Sequence, residues 1–170
     1  MSDPHKVQPI PEDCGSVTPY VIVKGVARFI DFLKEAFGAV DRGRVRNDDG
    51  TIGHAEVWIG DSVVMMFDAK EDWPETPSFL TLYVEDCDKV HRSALKAGAT
   101  TVTDLSTNAW GDRGSRIRDP FGNSWWIQTH VEDVSEDQMA RRMSERQYID
   151  ALRETAETLD RELRKIGATR

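Results

Sequence analysis

The chain has 170 residues and a formal net charge of −8, and hydrophobic and charged residues make up 39% and 31% of it. This composition is typical of a folded protein with one domain, or one domain and an appendage. The negative charge excludes nucleic acid as an expected partner, and no apolar run approaches membrane-spanning length. The N-terminus lacks a signal-peptide core and the two cysteines lack disulfide or zinc spacing, so we expect a cytoplasmic protein.

The first half of the chain predicts a β-α-β-β-β unit. Residues 1–16 contain three prolines and mostly polar side chains, which predicts an N-terminal arm. Apolar residues at helical spacing, ended by Gly38, predict a helix, and apolar runs bounded by turn residues predict strands. In chain order, module one (17–67) is predicted to contain a strand over 18–23, a helix over 26–37, and strands over 43–46, 52–59 and 62–67.

The second half repeats this order after a predicted linker over 68–76. Gly38-Ala39 recurs as Gly98-Ala99, and Gly60-Asp61-Ser62 recurs as Gly122-Asn123-Ser124, which indicates an internal duplication. Because a half of about 60 residues buries too little surface to be stable alone, we expect the two sheets to join around a concave inner face. Module two (77–130) is predicted to contain a strand over 79–84, a helix over 88–97, and strands over 100–104, 115–118 and 124–129, with a loop over 108–113.

Alternation in the strand over 52–59 places His54, Glu56 and Trp58 on one face, which we predict to be the inner face of module one. Because they are two residues apart on this strand, His54 and Glu56 lie side by side. They are suited to act as an acid/base pair, as two ligands of a displaced metal site, or as a polar pair that stabilises the sheet.

Arg116 and Arg118 lie at equivalent positions in module two, on one face of the strand over 115–118. They are suited to clamp an anionic ligand through bidentate hydrogen bonds. They are equally suited to pair with Glu56 or Asp119 and only close the sheet. The sequence leaves both interpretations open.

The remaining histidines and cysteines have no neighbour that indicates catalysis. His91 is predicted on the exposed side of the helix over 88–97. Cys87 lies near the start of the same helix, where the pKa of a thiol can fall. Since no base motif stands beside it, we expect that Cys87 is not a nucleophile.

The paired βαβββ pattern, the helices ending in AFGA and KAGA, and the closing DPFGN strand resemble the vicinal-oxygen-chelate superfamily. That group includes glyoxalase I, bleomycin-resistance proteins and extradiol dioxygenases. The segments GHAEVWIGDSVVMM and RDPFGNSWWIQTHVEDVS are most similar to its small bacterial glyoxalase/bleomycin-resistance-like members. The resemblance covers residues 17–135 and implies an α+β fold in which two βαβββ modules form curved mixed sheets around a cavity.

The metal enzymes of that superfamily carry histidine or glutamate ligands on the first and last strands of each module. Carried over by position, these become Thr18 and Phe79 on the first strands, and Val64 (or Met65) and Trp126 on the last strands. None of these side chains supplies the several nitrogen or oxygen donors that Fe, Mn, Ni or Zn requires. We therefore predict no metal site and no cofactor.

Aromatic residues give the stronger prediction of a binding site. Trp58, Trp110 and Trp126 are suited to stack on a flat or cationic small-molecule ligand, whereas Trp125 is predicted to lie in the core. The full predicted ligand-binding set is Tyr20, Trp58, Trp110, Arg116, Arg118, Trp126 and Gln128.

Two functions are compatible with these residues. The first is a metal-independent binding protein of the glyoxalase/bleomycin-resistance type, which sequesters an aromatic or cationic ligand in a Trp-lined cavity, as an antibiotic-resistance protein would. The second is a lyase, isomerase or dioxygenase that uses His54 and Glu56 as catalytic residues, with a non-standard or absent metal site. We favour the first, because the ligand positions implied by the resemblance carry no donors.

Residues 136–167 lie outside the duplicated unit and predict one C-terminal amphipathic helix. Ser135 and Gln138 fit a capping box, and neither glycine nor proline interrupts residues 136–166. The apolar residues of this segment form a narrow seam: Ile149, Leu152, Ala156, Leu159, Leu163 and Ile166. Such a seam is suited either to dimerise or to dock on the outer surface of the same chain. Because members of the superfamily commonly pair, we expect a homodimer in which a partner covers the seam.

Overall fold

The computed structural model describes residues 7–11 and 13–168, with side chains described as far as Lys165. This part of the chain divides into two units between Thr76 and Pro77. Each unit contains a four-stranded mixed sheet and a helix between its first two strands, which confirms the predicted α+β class and the two βαβββ modules.

The first unit has the strand order β1-β4-β3-β2, with β1 and β4 parallel. Alternate residues of β3 are buried, among them Ala55 and Val57, as the sequence pattern predicts. Helix α1 is amphipathic and buries Phe29, Ile30 and Leu33 completely. The elements of this unit are β1 (Tyr20–Val23), α1 (Val26–Phe37), β2 (Val40–Arg46), β3 (Ile52–Ile59) and β4 (Ser62–Asp68).

Asp68 stabilises the start of α1 from the end of β4. Gly25 precedes the helix and has no side chain that could satisfy the first backbone N–H groups. Oδ1 of Asp68 accepts hydrogen bonds from the N–H groups of Gly25 and Val26, both at 2.8 Å, and Oδ2 accepts one from Ile52 at 2.7 Å. Residue 68, which the sequence assigns to the linker, therefore belongs to the strand and anchors the helix.

The second unit has the same topology, with the order β5-β8-β7-β6 and β5 parallel to β8. Its helix α2 packs on one face of the sheet, over the buried residues Ile117, Trp125 and Ile127. The predicted core position of Trp125 is thereby confirmed. The elements are β5 (Phe79–Tyr83), α2 (Cys87–Lys96), β6 (Thr100–Thr107), β7 (Asp112–Arg118) and β8 (Ser124–His130).

The prediction that His91 is exposed is wrong. The residue is 8% exposed, and its Nδ1 lies 2.7 Å from the hydroxyl of Ser115 on β7. Its Nε2 lies 3.3 Å from the hydroxyl of Thr101 on β6. The helix turns His91 toward the sheet because these two hydroxyls satisfy both ring nitrogens.

The expected single C-terminal helix is two helices, α3 (Glu136–Arg142) and α4 (Arg146–Ala168). The predicted capping box of Ser135 and Gln138 is present at the start of α3. The break follows Arg142, where the Ser144 hydroxyl donates a 2.6 Å hydrogen bond to the carbonyl of Arg141. A short hydroxyl side chain competes in this way with the helical backbone hydrogen bonds, although no glycine or proline is present.

Helix α4 packs against β6 of its own unit. Its buried residues include Thr158 and Glu162, whereas Ile149 and Leu163 of the predicted seam are 38% and 52% exposed. The apolar seam is therefore not the face that α4 buries on this sheet. Ile166, the last member of the seam, lies outside the described side chains, and the homodimer stays a prediction.

A search of the described residues finds no helix with the length and apolar character needed to cross a bilayer.

Asp119 organises the turn between β7 and β8, and its side chain is almost completely buried. Oδ1 accepts hydrogen bonds from the N–H groups of Phe121 and Asn123, both at 2.9 Å. Oδ2 accepts hydrogen bonds from Nδ2 of Asn123 at 3.0 Å and from Nε1 of Trp125 at 2.9 Å. One carboxylate thus holds both the turn and the first residues of the closing strand.

We expect Asp119→Ala to lower the free energy of unfolding by about 2–4 kcal/mol, because buried donors lose their acceptor. Urea denaturation followed by tryptophan fluorescence measures the change. The matched control is Asp61→Ala, which removes an exposed carboxylate bonded to the Ser62 hydroxyl at 2.9 Å and should cost less than about 0.5 kcal/mol. Equal losses in the two variants would contradict this role of Asp119.

Candidate functional site

Four of the predicted binding residues share one face of the second sheet. Residues Arg116 and Trp126 are directly paired across β7 and β8, and Gln128 lies opposite Gly114. Because alternate residues of a strand share a face, Arg118 lies on the same side, and Ser115 and Ile117 point toward α2. We call this side, defined by Arg116, Arg118, Trp126 and Gln128, the arginine face.

Arg116 is the central residue of the arginine face and is only 6% exposed. Its guanidinium carbon lies 4.3 Å from the centre of the Trp126 ring and 5.9 Å from that of Phe79. Nη1 donates a 2.7 Å hydrogen bond to the carbonyl of Thr155 on α4. No carboxylate among the described residues pairs with it, and burial lowers the pKa of the guanidinium.

Helix α4 also contacts the arginine face at two further points. Nη1 of Arg118 lies 3.0 Å from Oε1 of Glu162, a carboxylate whose side chain is buried. The hydroxyls of Thr103 and Thr158 lie 2.6 Å apart. Neither arginine pairs with Asp119, whose carboxylate binds the groups of its own turn. Arg118 instead pairs with Glu162, a residue of α4 that the sequence did not indicate.

A β-bulge in β6 allows this strand to contact α2 on one face of the sheet and α4 on the other. The register with β7 shifts between Thr101 and Thr103. Thr101 therefore points toward His91 of α2, and Thr103 points toward Thr158 of α4. Without the shift, both threonines would point to the same face.

A small cavity borders the arginine face, with a volume of about 20 Å³. This is room for a water molecule, whereas a drug-sized ligand requires roughly 300 Å³ or more. Two rings and a cation contribute to its wall together with hydroxyl and amide groups. Its lining includes Thr103, Ser106, Asn108, Trp110, Ser115, Arg116, Trp126 and Thr155. Because Thr155 belongs to α4, this helix limits the size of the cavity.

Asp112 lies at the start of β7 and is buried, and the sequence pattern did not indicate it as a site residue. Its Oδ2 accepts hydrogen bonds from Tyr83 Oη at 2.9 Å and from Trp110 Nε1 at 3.0 Å, and Oδ1 lies 2.7 Å from His130 Nδ1. Burial and this carboxylate raise the pKa of Tyr83, and hydrogen bonds to Asp112 and Asp133 raise the pKa of His130. Asp112 shares the alternation of Arg116, but the predicted strand began three residues too late to show it.

The loop before Asp112 requires glycine at position 111. Gly111 has φ 91°, and a β-carbon there would overlap the carbonyl of Glu132. The backbone N–H groups of Val131 and Glu132 donate hydrogen bonds to the carbonyl oxygen of Gly111. This close packing orients Trp110 so that its indole N–H reaches Asp112.

The first unit brings Tyr20, His54 and Glu56 into one hydrogen-bonded chain. Tyr20 Oη lies 2.9 Å from His54 Nδ1, and His54 Nε2 lies 3.0 Å from Glu56 Oε1. The side chains of His54 and Glu56 are about one-third exposed, at 37% and 32%. A phenol, an imidazole and a carboxylate in series form an arrangement that can move a proton.

Trp58, the fourth predicted residue of the first unit, lies on β3 beyond Glu56. The guanidinium carbon of Arg42 is 5.0 Å from its ring centre, so a cation of the chain itself already stands over this indole. Its buried Nε1 has no hydrogen-bond acceptor among the described residues.

The residues at the implied metal positions do not fit a metal ion. Of these positions, Met65 lies opposite Tyr20 in the first sheet, and Trp126 lies opposite Thr81 in the second. Thr18, Phe79, Val64 or Met65, and Trp126 supply at most hydroxyl, thioether and indole groups, which are poor ligands for Fe, Mn, Ni or Zn. Within the described part of the chain, no group of three or more His, Cys, Asp or Glu is placed to hold an ion.

Comparison with known proteins gives a consistent result. The family model for the Glyoxalase/Bleomycin resistance protein/Dioxygenase superfamily matches residues 15–127. The uncharacterized proteins Rv0887c of Mycobacterium tuberculosis (strain ATCC 25618 / H37Rv) and Mb0911c of Mycobacterium bovis are each 37% identical over 140 residues. These alignments cover 76% of this chain, and 82% and 92% of the two relatives.

Solved structures show the same fold. TioX from Micromonospora sp. ML1 is 27% identical with a TM-score of 0.58, and the match covers 69% of this chain and all of TioX. The fosfomycin resistance protein FosX from Mesorhizobium loti is 16% identical with a TM-score of 0.51, over 68% of this chain and 91% of FosX. The family-model match ends within β8, so α3 and α4 lie outside it. The chain belongs to the Glyoxalase/Bleomycin resistance protein/Dioxygenase superfamily.

Proposed function

We propose that this protein binds and sequesters a small aromatic molecule at the arginine face, without a metal ion. The observation that carries the proposal is the position of Arg116, a buried cation stacked on Trp126 and unpaired with any carboxylate of the described residues. A buried charge without a partner is costly, and such groups are concentrated at functional sites.

The surroundings of Arg116 suit an aromatic ligand. The rings of Phe79 and Trp126 lie beside the guanidinium, and Trp110 lines the adjoining cavity with several hydroxyl groups. Small-molecule sites combine apolar and aromatic walls with a few placed polar groups in this way. We also propose that the protein is a homodimer and lies in the cytoplasm, as expected from the sequence.

The ligand class is narrower in this proposal than the aromatic or cationic class expected from the sequence. Arg116 already occupies the position over the Trp126 ring that a cationic ligand would take. A second positive charge there would be repelled by the guanidinium in a poorly solvated environment. We therefore propose an aromatic ligand without a positive charge on the part that lies beside Trp126.

The hydrogen-bonded chain of Tyr20, His54 and Glu56 supports a second candidate function, an enzyme of the lyase, isomerase or dioxygenase kind. In that case Glu56 orients and polarises His54, which exchanges a proton with the substrate, and Tyr20 lies on the other ring nitrogen. Both ring nitrogens already have partners, so a substrate would have to displace one of them.

The binding proposal predicts quenching of tryptophan fluorescence by flat aromatic compounds. Titration with a panel of neutral and anionic aromatic compounds should give saturable quenching, because Trp126 and Trp110 contribute to the site. In Trp126→Leu the affinity for a bound compound should fall about tenfold, as expected for the loss of one aromatic stacking contact. The matched control is Trp73→Leu, which changes a partly exposed tryptophan of the first unit and should leave the affinity unchanged. An equal effect of the two substitutions would contradict the assignment of Trp126.

Metal analysis separates the two candidate functions. The purified protein should contain Fe, Mn, Ni and Zn far below one ion per chain, because the implied ligand positions lack suitable donors. Inductively coupled plasma mass spectrometry measures the content of the protein and of His54→Ala and Glu56→Ala. One equivalent of a metal that is lost in both variants would contradict metal-independent binding and favour the enzyme.

A further inference from the structure

We propose that Arg116 and Arg118 bind an oxyanion of the ligand, a carboxylate or a phosphate, and that α4 occupies this subsite until the ligand displaces it. This inference rests on the proposed binding function. It adds the chemical class of the ligand, and it identifies α4 as the segment of the chain that competes with the ligand for the two arginines. It concerns the second unit alone.

The groups that α4 presents to the two arginines are oxygen acceptors. The Thr155 carbonyl accepts a 2.7 Å hydrogen bond from Arg116, and the Glu162 carboxylate lies 3.0 Å from Arg118. A guanidinium binds carboxylate and phosphate oxygens in the same way, through its planar N–H donors. Helix α4 therefore provides a neutral oxygen to Arg116 and an anionic oxygen to Arg118. An oxyanion ligand would place its own oxygens at these two positions.

Arg116 retains donor capacity that α4 does not use. A guanidinium has five N–H donors, and the buried Nε of Arg116 has no acceptor among the described residues. The carbonyl that it binds carries no net charge, and no carboxylate among the described residues pairs with Arg116. A carboxylate or phosphate adds the attraction of opposite charges and accepts two parallel N–H bonds from a guanidinium, which a single carbonyl oxygen does not. An oxyanion thus binds Arg116 more strongly than the carbonyl of Thr155 does.

The adjoining cavity is too small for this ligand while α4 is in place. Its volume of about 20 Å³ accepts a water molecule, and Thr155 of α4 forms part of its wall. An aromatic oxyanion can reach Arg116 only if α4 moves away from the sheet. Binding and undocking of α4 are therefore coupled.

The buried face of α4 is unusually polar, which makes its displacement feasible. Thr158 and Glu162 are the buried residues of α4 in the described part of the helix, and both are polar. Thr155, Leu152 and Leu159 are half-buried beside them, whereas Ile149 and Leu163 are exposed. Burial of apolar surface supplies most of the stability of a docked helix, and each polar contact contributes a small net amount because it replaces hydrogen bonds to water. The hydroxyl of Thr158 can also bond to the carbonyl of Glu154 at 2.7 Å, so it keeps a partner when the helix leaves the sheet.

A disulfide that holds α4 on the sheet tests the coupling directly. The hydroxyls of Thr103 and Thr158 lie 2.6 Å apart, so Thr103→Cys with Thr158→Cys places two sulfurs within bonding reach. Phenyl phosphate is the probe and benzyl alcohol is its uncharged counterpart, with affinities measured by calorimetry. Phenyl phosphate should bind the oxidised protein about tenfold more weakly than the same protein after reduction. Wild type treated with the same reductant controls for Cys14 and Cys87 and should not change.

A second pair of variants tests the same coupling without a disulfide. Glu162→Gln weakens the contact of α4 with Arg118 and should increase the affinity for phenyl phosphate about threefold to tenfold. Asp160→Asn removes the same charge from an exposed position of the same helix, where Asp160 pairs with Arg164 at 2.7 Å. The affinity of this control should equal that of wild type.

The possible outcomes distinguish this inference from the proposed function. Equal affinity of the oxidised and reduced forms, together with equal affinity of Glu162→Gln and Asp160→Asn, would overturn the role of α4. Binding of benzyl alcohol as strong as that of phenyl phosphate would overturn the oxyanion subsite and leave aromatic binding intact. Failure of every aromatic compound to bind any of these forms would overturn both proposals.

Discussion

A guanidinium buried on a sheet is the constraint on which the second unit depends. Arg116 is held between the ring of Trp126 and the backbone of α4, it is almost completely buried, and no carboxylate among the described residues balances its charge. Burial of such a group is unfavourable unless nearby dipoles and aromatic rings compensate for the lost hydration. This requirement explains why the helix that covers the arginine face places the Thr155 carbonyl, the Thr158 hydroxyl and the Glu162 carboxylate against it.

The two repeats use one topology for different chemistry. In each, a helix covers one face of a four-stranded sheet, and alternation brings polar side chains to the other face. In the first unit that face carries the chain of Tyr20, His54 and Glu56, which is partly exposed. In the second it carries two arginines that bind α4. The two units thus share a topology, while the residues on their polar faces differ.

Membership of the superfamily establishes the scaffold and leaves the chemistry to the individual residues. The positions that hold metal ligands in its enzymes carry hydroxyl, alkyl and aromatic groups in this chain. The C-terminal helices lie beyond the part that the family model matches, yet α4 contacts the face on which we place the ligand. An element added outside the common fold therefore determines how accessible that face is.

Local patterns in the sequence determined most of the secondary structure. The bounds of α1 and β3, the capping box of Ser135 and the core position of Trp125 follow from periodicity and turn residues, which act over a few positions. The same patterns placed Arg116 and Arg118 on one face of their strand, because strand alternation is a local property.

Only the tertiary structure decided which groups meet these residues. The capping of α1 by Asp68, the burial of His91 and the contact of Thr155 with Arg116 join residues far apart in the chain. The register shift between Thr101 and Thr103 turns Thr103 to the opposite face of the sheet from Thr101, which periodicity does not reveal. Such partners are selected by the satisfaction of buried polar groups in three dimensions, and a one-dimensional pattern contains no record of that selection.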